Sequence, residues 1–168
     1  MALSIELLNK THIKSSFECG YPSLNNYIKT QASQDVKRNI SVCYVLSDNP
    51  DKTVAGYYTL SSHAVSLEDL PEDLRKKLPT SYPVVPTALL GRLAVNKAYQ
   101  GKRLGEMLLL DALNRCANLA ESIGTMAVIV DPIDEKAMGF YKAYGFISLP
   151  KSIRLFMSVK TIKTLQGE

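Results

Sequence analysis

The sequence predicts an α/β fold built on a central mixed, mostly antiparallel sheet with helices on both faces. Three observations carry this expectation. Leu89–Val95 is a short apolar strand that passes through a glycine-bearing basic turn into a long amphipathic helix. That helix leads to a second apolar, β-branched run at Met126–Val130, and two such strands joined by a helix form a parallel pair with a right-handed crossover. Ser41–Leu46 and Val54–Ser61 flank Asp48-Asn49-Pro50-Asp51 and read as an antiparallel hairpin around a turn.

The remaining elements follow in chain order. Ile5–Leu8 alternates weakly and is expected as a first strand. Ser23 is the expected N-cap of a helix reaching Lys37, with Leu24, Tyr27, Ile28 and Gln31 at helical spacing. Leu67–Leu78 is expected as a short charged helix with Pro71 in its first turn, between prolines that limit it. Leu104, Leu108, Leu109, Ala112, Leu113, Cys116, Leu119, Ala120 and Ile123 recur every three to four residues, which predicts a helix stopped by Gly124. A helix over Asp134–Tyr144, closed by Gly145, and a final strand over Ile153–Val159 complete the order β-α-β-β-α-β-α-β.

At 168 residues and 46% hydrophobic composition, residues 1–168 are expected to form one domain with a substantial core. Repeats and low-complexity tracts are absent from the sequence, and its apolar runs fall short of the roughly 18 residues that span a bilayer. Met1–Glu6 lacks the features of a signal peptide, so a cytoplasmic protein with no membrane association is expected. Cys19, Cys43 and Cys116 are odd in number and widely spaced, which argues for buried reduced thiols over disulfides or zinc. With two isolated histidines, no metal is expected. The net charge of +4, from 20 basic and 16 acidic residues, permits an anionic partner without demanding one.

The chemistry concentrates at Gln100–Gly105. A strand, a turn of small residues and a helix N-terminus bring backbone N–H groups together at the positive end of a helix dipole, which suits a phosphate. Lys102 and Arg103 add full charges there. The turn is neither a Walker P-loop nor a three-glycine dinucleotide fingerprint. An ordinary βα turn is the competing reading of the same residues.

With its Val-ending strand, this segment resembles the acetyl-CoA-binding motif of the GNAT acetyltransferase superfamily, Gln/Arg-x-x-Gly-x-Gly/Ala. Gln100, Leu104 and Gly105 fit, and Arg103 stands where the family has its middle glycine. Ala137-Met138-Gly139-Phe140-Tyr141-Lys142-Ala143-Tyr144-Gly145-Phe146 resembles the superfamily's A-x-x-F-Y-x-x-x-G-F element. Phe17-Glu18-Cys19-Gly20, Leu24-Asn25-Asn26-Tyr27-Ile28, Val54–Ser61 and Arg92-Leu93-Ala94-Val95 extend the similarity to the toxin branch of the superfamily, over nearly the whole chain.

The resemblance implies a GNAT fold with one splayed parallel strand pair, and acetyl transfer from acetyl-CoA to the α-amino group of an aminoacyl-tRNA. It also implies a toxin that blocks translation, a ribbon-helix-helix antitoxin that brings operator DNA binding, and a homodimer. Leu93, Ala94, Val95, Gln100, Gly101, Lys102, Arg103, Leu104, Gly105 and Glu106 are the expected cofactor-binding residues. A backbone N–H at or near Val95 is the expected oxyanion donor. Tyr141 is the expected acid toward the departing thiolate, a transfer nearly balanced at neutral pH and easier if positive charge lowers the phenol pKa. Tyr144 is a weaker candidate, and Gly139 stands where the toxin branch often carries asparagine. Arg92, Lys29, Lys37, Arg38 and Lys142 are candidates for contact with tRNA, Arg92 with the alternative of holding a carboxylate within the protein, and Arg75, Lys76, Lys77, Lys151 and Arg154 are further basic positions.

No glutamate or histidine is placed as a base, and Glu106 suits the first turn of its helix. An α-amine with a pKa near 7.7–8.0 needs less help than a lysine at about 10.4, which leans toward an aminoacyl acceptor. The rival readings are acetylation of a small amine, a peptide N-terminus or a lysine, and a non-catalytic acetyl-CoA-binding module.

Overall fold

The computed structural model describes residues 1–167. The chain divides into two compact units, one of Met1–Ser61 with Gly91–Ala112 and one of Ser62–Leu90 with the segment from Leu113 onward. Among the described residues seven strands hydrogen-bond in the order β1-β2-β3-β4-β5-β7-β6.

In the first unit, β1 (Ala2–Leu7) and β2 (Val42–Asn49) are antiparallel, and β2 pairs antiparallel with β3 (Thr53–Ser66). β1 starts earlier than the alternation suggests because β2 runs on to Asn49 and supplies partners for Ala2 and Leu3. The expected first helix is interrupted. α1 (Pro22–Asn26) gives way to a π-helical turn over Tyr27–Gln31, and α2 (Ala32–Lys37) follows. Its cap is Tyr21, not Ser23, and Tyr21 makes no side-chain cap bond. Pro22 takes the first helical position, where its missing N–H forfeits nothing. Phe17, Tyr27, Ile28, Cys43, Val45, Tyr57 and Ala94 form this unit's core. The Tyr57 hydroxyl donates to the Leu24 carbonyl at 2.7 Å.

Gly56 on β3 governs how closely the elements of this unit approach. A Cβ built there lies 2.9 Å from the Ala94 carbonyl oxygen and 2.9 Å from a Leu108 methyl. Only a residue without a side chain lets β3 lie this close to the end of β4 and the start of α4.

β4 (Val84–Val95) belongs to the second unit up to Leu90, and there it pairs in parallel with β5 (Ala127–Val130) through Ala88↔Val128, Leu89↔Ile129 and Leu90↔Val130. The expected pairing of the two apolar strands is confirmed, with its register confined to Ala88–Leu90. α3 is shorter than its charge pattern suggests. Leu67–Asp69 is a 3-10 turn, Leu70 is extended ahead of Pro71, and α3 covers only Glu72–Arg75. Pro71 is the cap of α3 and lies outside its first turn.

α4 (Leu104–Leu119) ends a turn before Gly124, and Leu119 and Ile123 lie exposed rather than in the core. α5 (Glu135–Ala143) is capped by Asp134, whose carboxylate accepts from the Ala137 N–H at 2.8 Å. Gly145 takes φ +103° just beyond it. The two-residue edge strand β6 (Ile147–Ser148) pairs with β7 (Leu155–Ser158), which pairs with β5. The expected last strand gives way at Val159 to α6 (Val159–Leu165), capped by the Ser158 hydroxyl accepting from the Thr161 N–H at 3.0 Å. Val65, Leu70, Val85, Ala127, Ile129, Leu149 and Phe156 form this unit's core.

All three cysteines are reduced and buried, as the sequence predicts. Burial pushes the Cys43 and Cys116 thiols up to about 12.

Gly56→Ala is expected to destabilise the protein by about 1–3 kcal/mol, because the clash is partly with backbone and repacking of Leu108 relieves only half of it. Urea unfolding of the variant measures this; an unchanged midpoint would show that the close approach is not needed.

Candidate functional site

The anion-binding turn is built entirely within the first unit. β4 ends at Val95, and Asn96 bends the chain into a 3-10 turn over Lys97–Tyr99, accepting from the Ala98 N–H at 3.2 Å. The Asn96 and Lys97 N–H groups donate to the carbonyls of Ala55 (2.8 Å) and Glu18 (2.7 Å), which fixes the turn to its surroundings. The Gln100 side-chain amide donates to the Val95 carbonyl at 3.0 Å and, more weakly, to that of Cys19 at 3.5 Å. Its amide is therefore spent on holding the loop to the strand end.

Gly101 (φ +83°) and Arg103 (φ +58°) are both left-handed and bracket Lys102. Backbone of this kind turns successive N–H groups toward one side, the arrangement that cradles anions. The first bond of α4 runs from the Met107 N–H to the Arg103 carbonyl at 3.2 Å. The N–H groups of Leu104, Gly105 and Glu106 thus have no acceptor inside the helix. Leu104 and Ala94 are buried and anchor the loop at either end, while Leu93, Val95, Gly105 and Glu106 are half-buried. Lys102 and Arg103 are exposed, with the Lys102 ammonium 5.9 Å from the Tyr99 ring centroid. The Glu106 carboxylate lies 3.8 Å from the Arg103 guanidinium and in the first turn, where it also complements the dipole. Free helix amides, two left-handed residues and two exposed cations fit a diphosphate group.

Tyr141 belongs to the second unit. It is buried on α5, with its ring edge-on to Phe140 (5.3 Å) and Phe146 (5.4 Å). Burial raises its phenol pKa above the ordinary value. The condition that positive charge lowers the phenol pKa is not fulfilled, because desolvation is what moves this group. Lys142 is exposed, Tyr144 is the C-cap of α5, and a Cβ on Gly139 would meet open space.

A cluster the sequence did not reveal lies in the same unit. The Arg154 guanidinium donates to both Asp131 oxygens (2.7 and 3.1 Å) and reaches the His63 Nε2 at 2.9 Å. Because arginine only donates, His63 accepts through Nε2 and is neutral. Burial, then the Arg154 charge, hold its pKa below the usual value. Arg154 is thus committed to protein partners and is unsuited to the phosphate track, and the His63 Nε2 lone pair is not free to act as a base. Nothing in the spacing of residues 63, 131 and 154 announces this meeting.

Lys29, Lys37 and Arg38 are exposed on and after the first helical segments. Arg92 is half-buried, its guanidinium carbon 3.6 Å above the centroid of the Tyr27 ring. Among the described residues no group of acidic, histidine or cysteine side chains is arranged to hold a metal ion.

The left-handed backbone at Arg103 carries strain that a glycine would not. Arg103→Gly is expected to stabilise the protein by about 1 kcal/mol, since the exposed ion pair to Glu106 offsets little. Chemical denaturation reads this; a loss of stability would show that the arginine side chain holds the turn.

The family model for the Acetyltransferase (GNAT) family matches residues 6–146. A tRNA-acetylating toxin of Mycobacterium tuberculosis (strain ATCC 25618 / H37Rv) is 36% identical over 155 residues, covering 92% of this chain and 90% of the relative. The structure of AtaT complexed with acetyl-methionyl-tRNAfMet is 32% identical with a TM-score of 0.91, covering 98% of this chain and 99% of that one. A mutant of the toxin AtaT bound to acetyl-CoA and the C-terminus of the antitoxin AtaR is 28% identical with a TM-score of 0.83, covering 99% of both chains. A KacTA–DNA complex contributes a chain 28% identical with a TM-score of 0.80, again covering 99% of both. The matched family model spans both the Gln100–Gly105 turn and Tyr141, and this chain belongs to the GNAT acetyltransferase family.

Proposed function

We propose that this protein transfers acetyl from acetyl-CoA to the α-amino group of an aminoacyl-tRNA, and so acts as a translation-blocking toxin in the cytoplasm. The observation that carries the reading is the pair of left-handed residues, Gly101 and Arg103, set immediately before the free amides of α4. It is supported by the relative named a tRNA-acetylating toxin and by AtaT in complex with acetylated methionyl-tRNA. Among the described residues no helix is long and apolar enough to cross a membrane.

In this reading the thioester supplies the activated acetyl group. The amides of residues 101–106, with Lys102 and Arg103, bind and orient the diphosphate. Gln100 keeps the loop against Val95, and a backbone N–H at or near Val95 meets the carbonyl oxygen. Tyr141 donates the proton to sulfur. Its raised pKa keeps the phenol protonated throughout the physiological range, so the acid is always loaded. The acceptor sheds its own proton, which an α-amine near pKa 7.7–8.0 does at neutral pH without a protein base. Exposed Lys29, Lys37, Arg38 and Lys142 offer phosphate contacts. A ribbon-helix-helix antitoxin with operator DNA binding completes the reading, in line with the AtaR and KacTA–DNA complexes. A homodimer belongs to the same reading and is checked by sedimentation.

Radiolabelled acetyl-CoA offered with charged and with deacylated tRNA is expected to label only the charged pool; equal labelling of both, or of neither, overturns the acceptor assignment. Tyr141→Phe is expected to bind acetyl-CoA as the parent does while turnover falls roughly 10²-fold. In the parent enzyme kcat should climb through the amine's titration and hold to about pH 9.5, since burial keeps the acid protonated beyond the ordinary phenol value of about 10. Unchanged turnover in Tyr141→Phe, or a decline in the parent enzyme already complete at pH 9, removes Tyr141 from the acid role.

A further inference from the structure

We infer that Arg92 is an anion receptor for a phosphodiester of the acceptor strand, and that Tyr27 and Asp35 are the positioning residues that hold its guanidinium in place. This rests on the tRNA reading above and names a contact within it. The π-helical turn is the starting point. The Ala32 N–H reaches back to the Tyr27 carbonyl, so one extra residue is inserted where α1 passes into α2. Such insertions commonly redirect a functional side chain.

Tyr27 opens this turn. One face of its ring is stacked near Tyr57, with centroids 6.2 Å apart and planes 17° from parallel. The Arg92 guanidinium carbon sits 3.6 Å from the Tyr27 ring centroid. The Tyr27 hydroxyl donates to Asp35 Oδ2 at 2.8 Å and lies 3.3 Å from the Ser41 hydroxyl. Asp35 Oδ1 accepts from the Gln31 amide at 2.9 Å, and Gln31 is itself the last residue of the π turn. Both oxygens of Asp35 are therefore taken by neutral donors.

The consequence falls on Arg92. Among the described residues no carboxylate lies within ion-pair distance of its guanidinium and no oxygen accepts from it. A half-buried guanidinium held over an aromatic ring, with its donors unspent, is preorganised for the oxygens of a planar or tetrahedral anion. Its place is Arg92-Leu93-Ala94-Val95, three residues before the strand end that leads into the phosphate turn. The amino acid of an aminoacyl-tRNA has its carboxyl group esterified, so the anion available on that acceptor is a phosphodiester. Asp35 holds Tyr27 through its hydroxyl and feels the Arg92 charge only at a distance, without an ion pair to it.

The test uses the intact protein and two readouts. Fluorescence anisotropy with labelled deacylated tRNA, over a series of salt concentrations, reports phosphate contacts whether or not acetyl transfer occurs. Arg92→Gln is expected to weaken binding about tenfold and to reduce the slope of log K against log salt by about 0.7–0.9, one phosphate contact. Arg92→Lys is expected to keep the slope while raising KM for charged tRNA severalfold, because the charge remains and the flat fork is lost. Tyr27→Phe keeps the ring and loses the tie to Asp35, so it should raise KM for charged tRNA with slope unchanged. In all three, calorimetric affinity for acetyl-CoA should match the parent. An unchanged slope in Arg92→Gln, or acetyl-CoA affinity falling in step with tRNA binding, overturns the receptor; a parental KM in Tyr27→Phe overturns the positioning role. If the parent acetylates no charged tRNA yet binds tRNA with an Arg92-dependent slope, the acceptor assignment fails and the anion site stands. If the parent binds no tRNA, both fail.

Discussion

The arrangement of the donor side depends on a contact that only a residue without a side chain permits. At position 56 the backbone of β3 comes so near the Ala94 carbonyl and Leu108 that even a methyl group would strike both. That approach sets where α4 lies against the strands. It therefore also sets where the first turn of α4 opens relative to the end of β4. The free amides of Leu104–Glu106 and the left-handed residues before them follow from that placement. A polar site is thus positioned by an apolar contact several residues away, made of Gly56 and Leu108, which take no part in the chemistry.

Two opposite electrostatic environments serve one proposed reaction. The phosphate turn is exposed and positive, so its charges are screened and act chiefly by attraction and orientation. Tyr141 is buried, and burial alone moves its pKa among the described residues. A phenol near 10 facing a thiol near 8.5 is already about 2 kcal/mol uphill for proton transfer, and burial adds to this. In the proposed role the balance would shift only as negative charge develops on the sulfur, because a charged acceptor in a poorly solvated setting strengthens the hydrogen bond it receives. The proposed acid would then be idle until the thiolate begins to form.

What could be read in the sequence was what depends on local pattern. The apolar spacing of Leu104 to Cys116 gave α4, and the β-branched run before Asp131 gave β5 with its parallel partner. The spacing carried on to Ile123, yet the helix stopped at Leu119, because periodicity does not say where the core ends. The helix after Asp134 was legible although its pattern took the cap itself as helical, and Ser158 is a cap hidden behind an apolar run that reads as strand. The Gln100–Gly105 turn was legible by its residues, but the left-handed conformation of Arg103 was not, since arginine rarely adopts it. His63 meeting Arg154 and Asp131, and Arg92 lying on Tyr27, join residues far apart in the chain, and no spacing rule encodes them.

The cysteines add a property of a different kind. Cys43 sits in the first unit and Cys116 in the second, each wholly enclosed and with its thiolate suppressed by some three pH units. Alkylating reagents attack the thiolate, so in the folded state neither sulfur is reachable or reactive. Each becomes so only when its surroundings open. The chain therefore carries two built-in clocks, and the rate at which each sulfur is capped reports how often its own half of the molecule breathes.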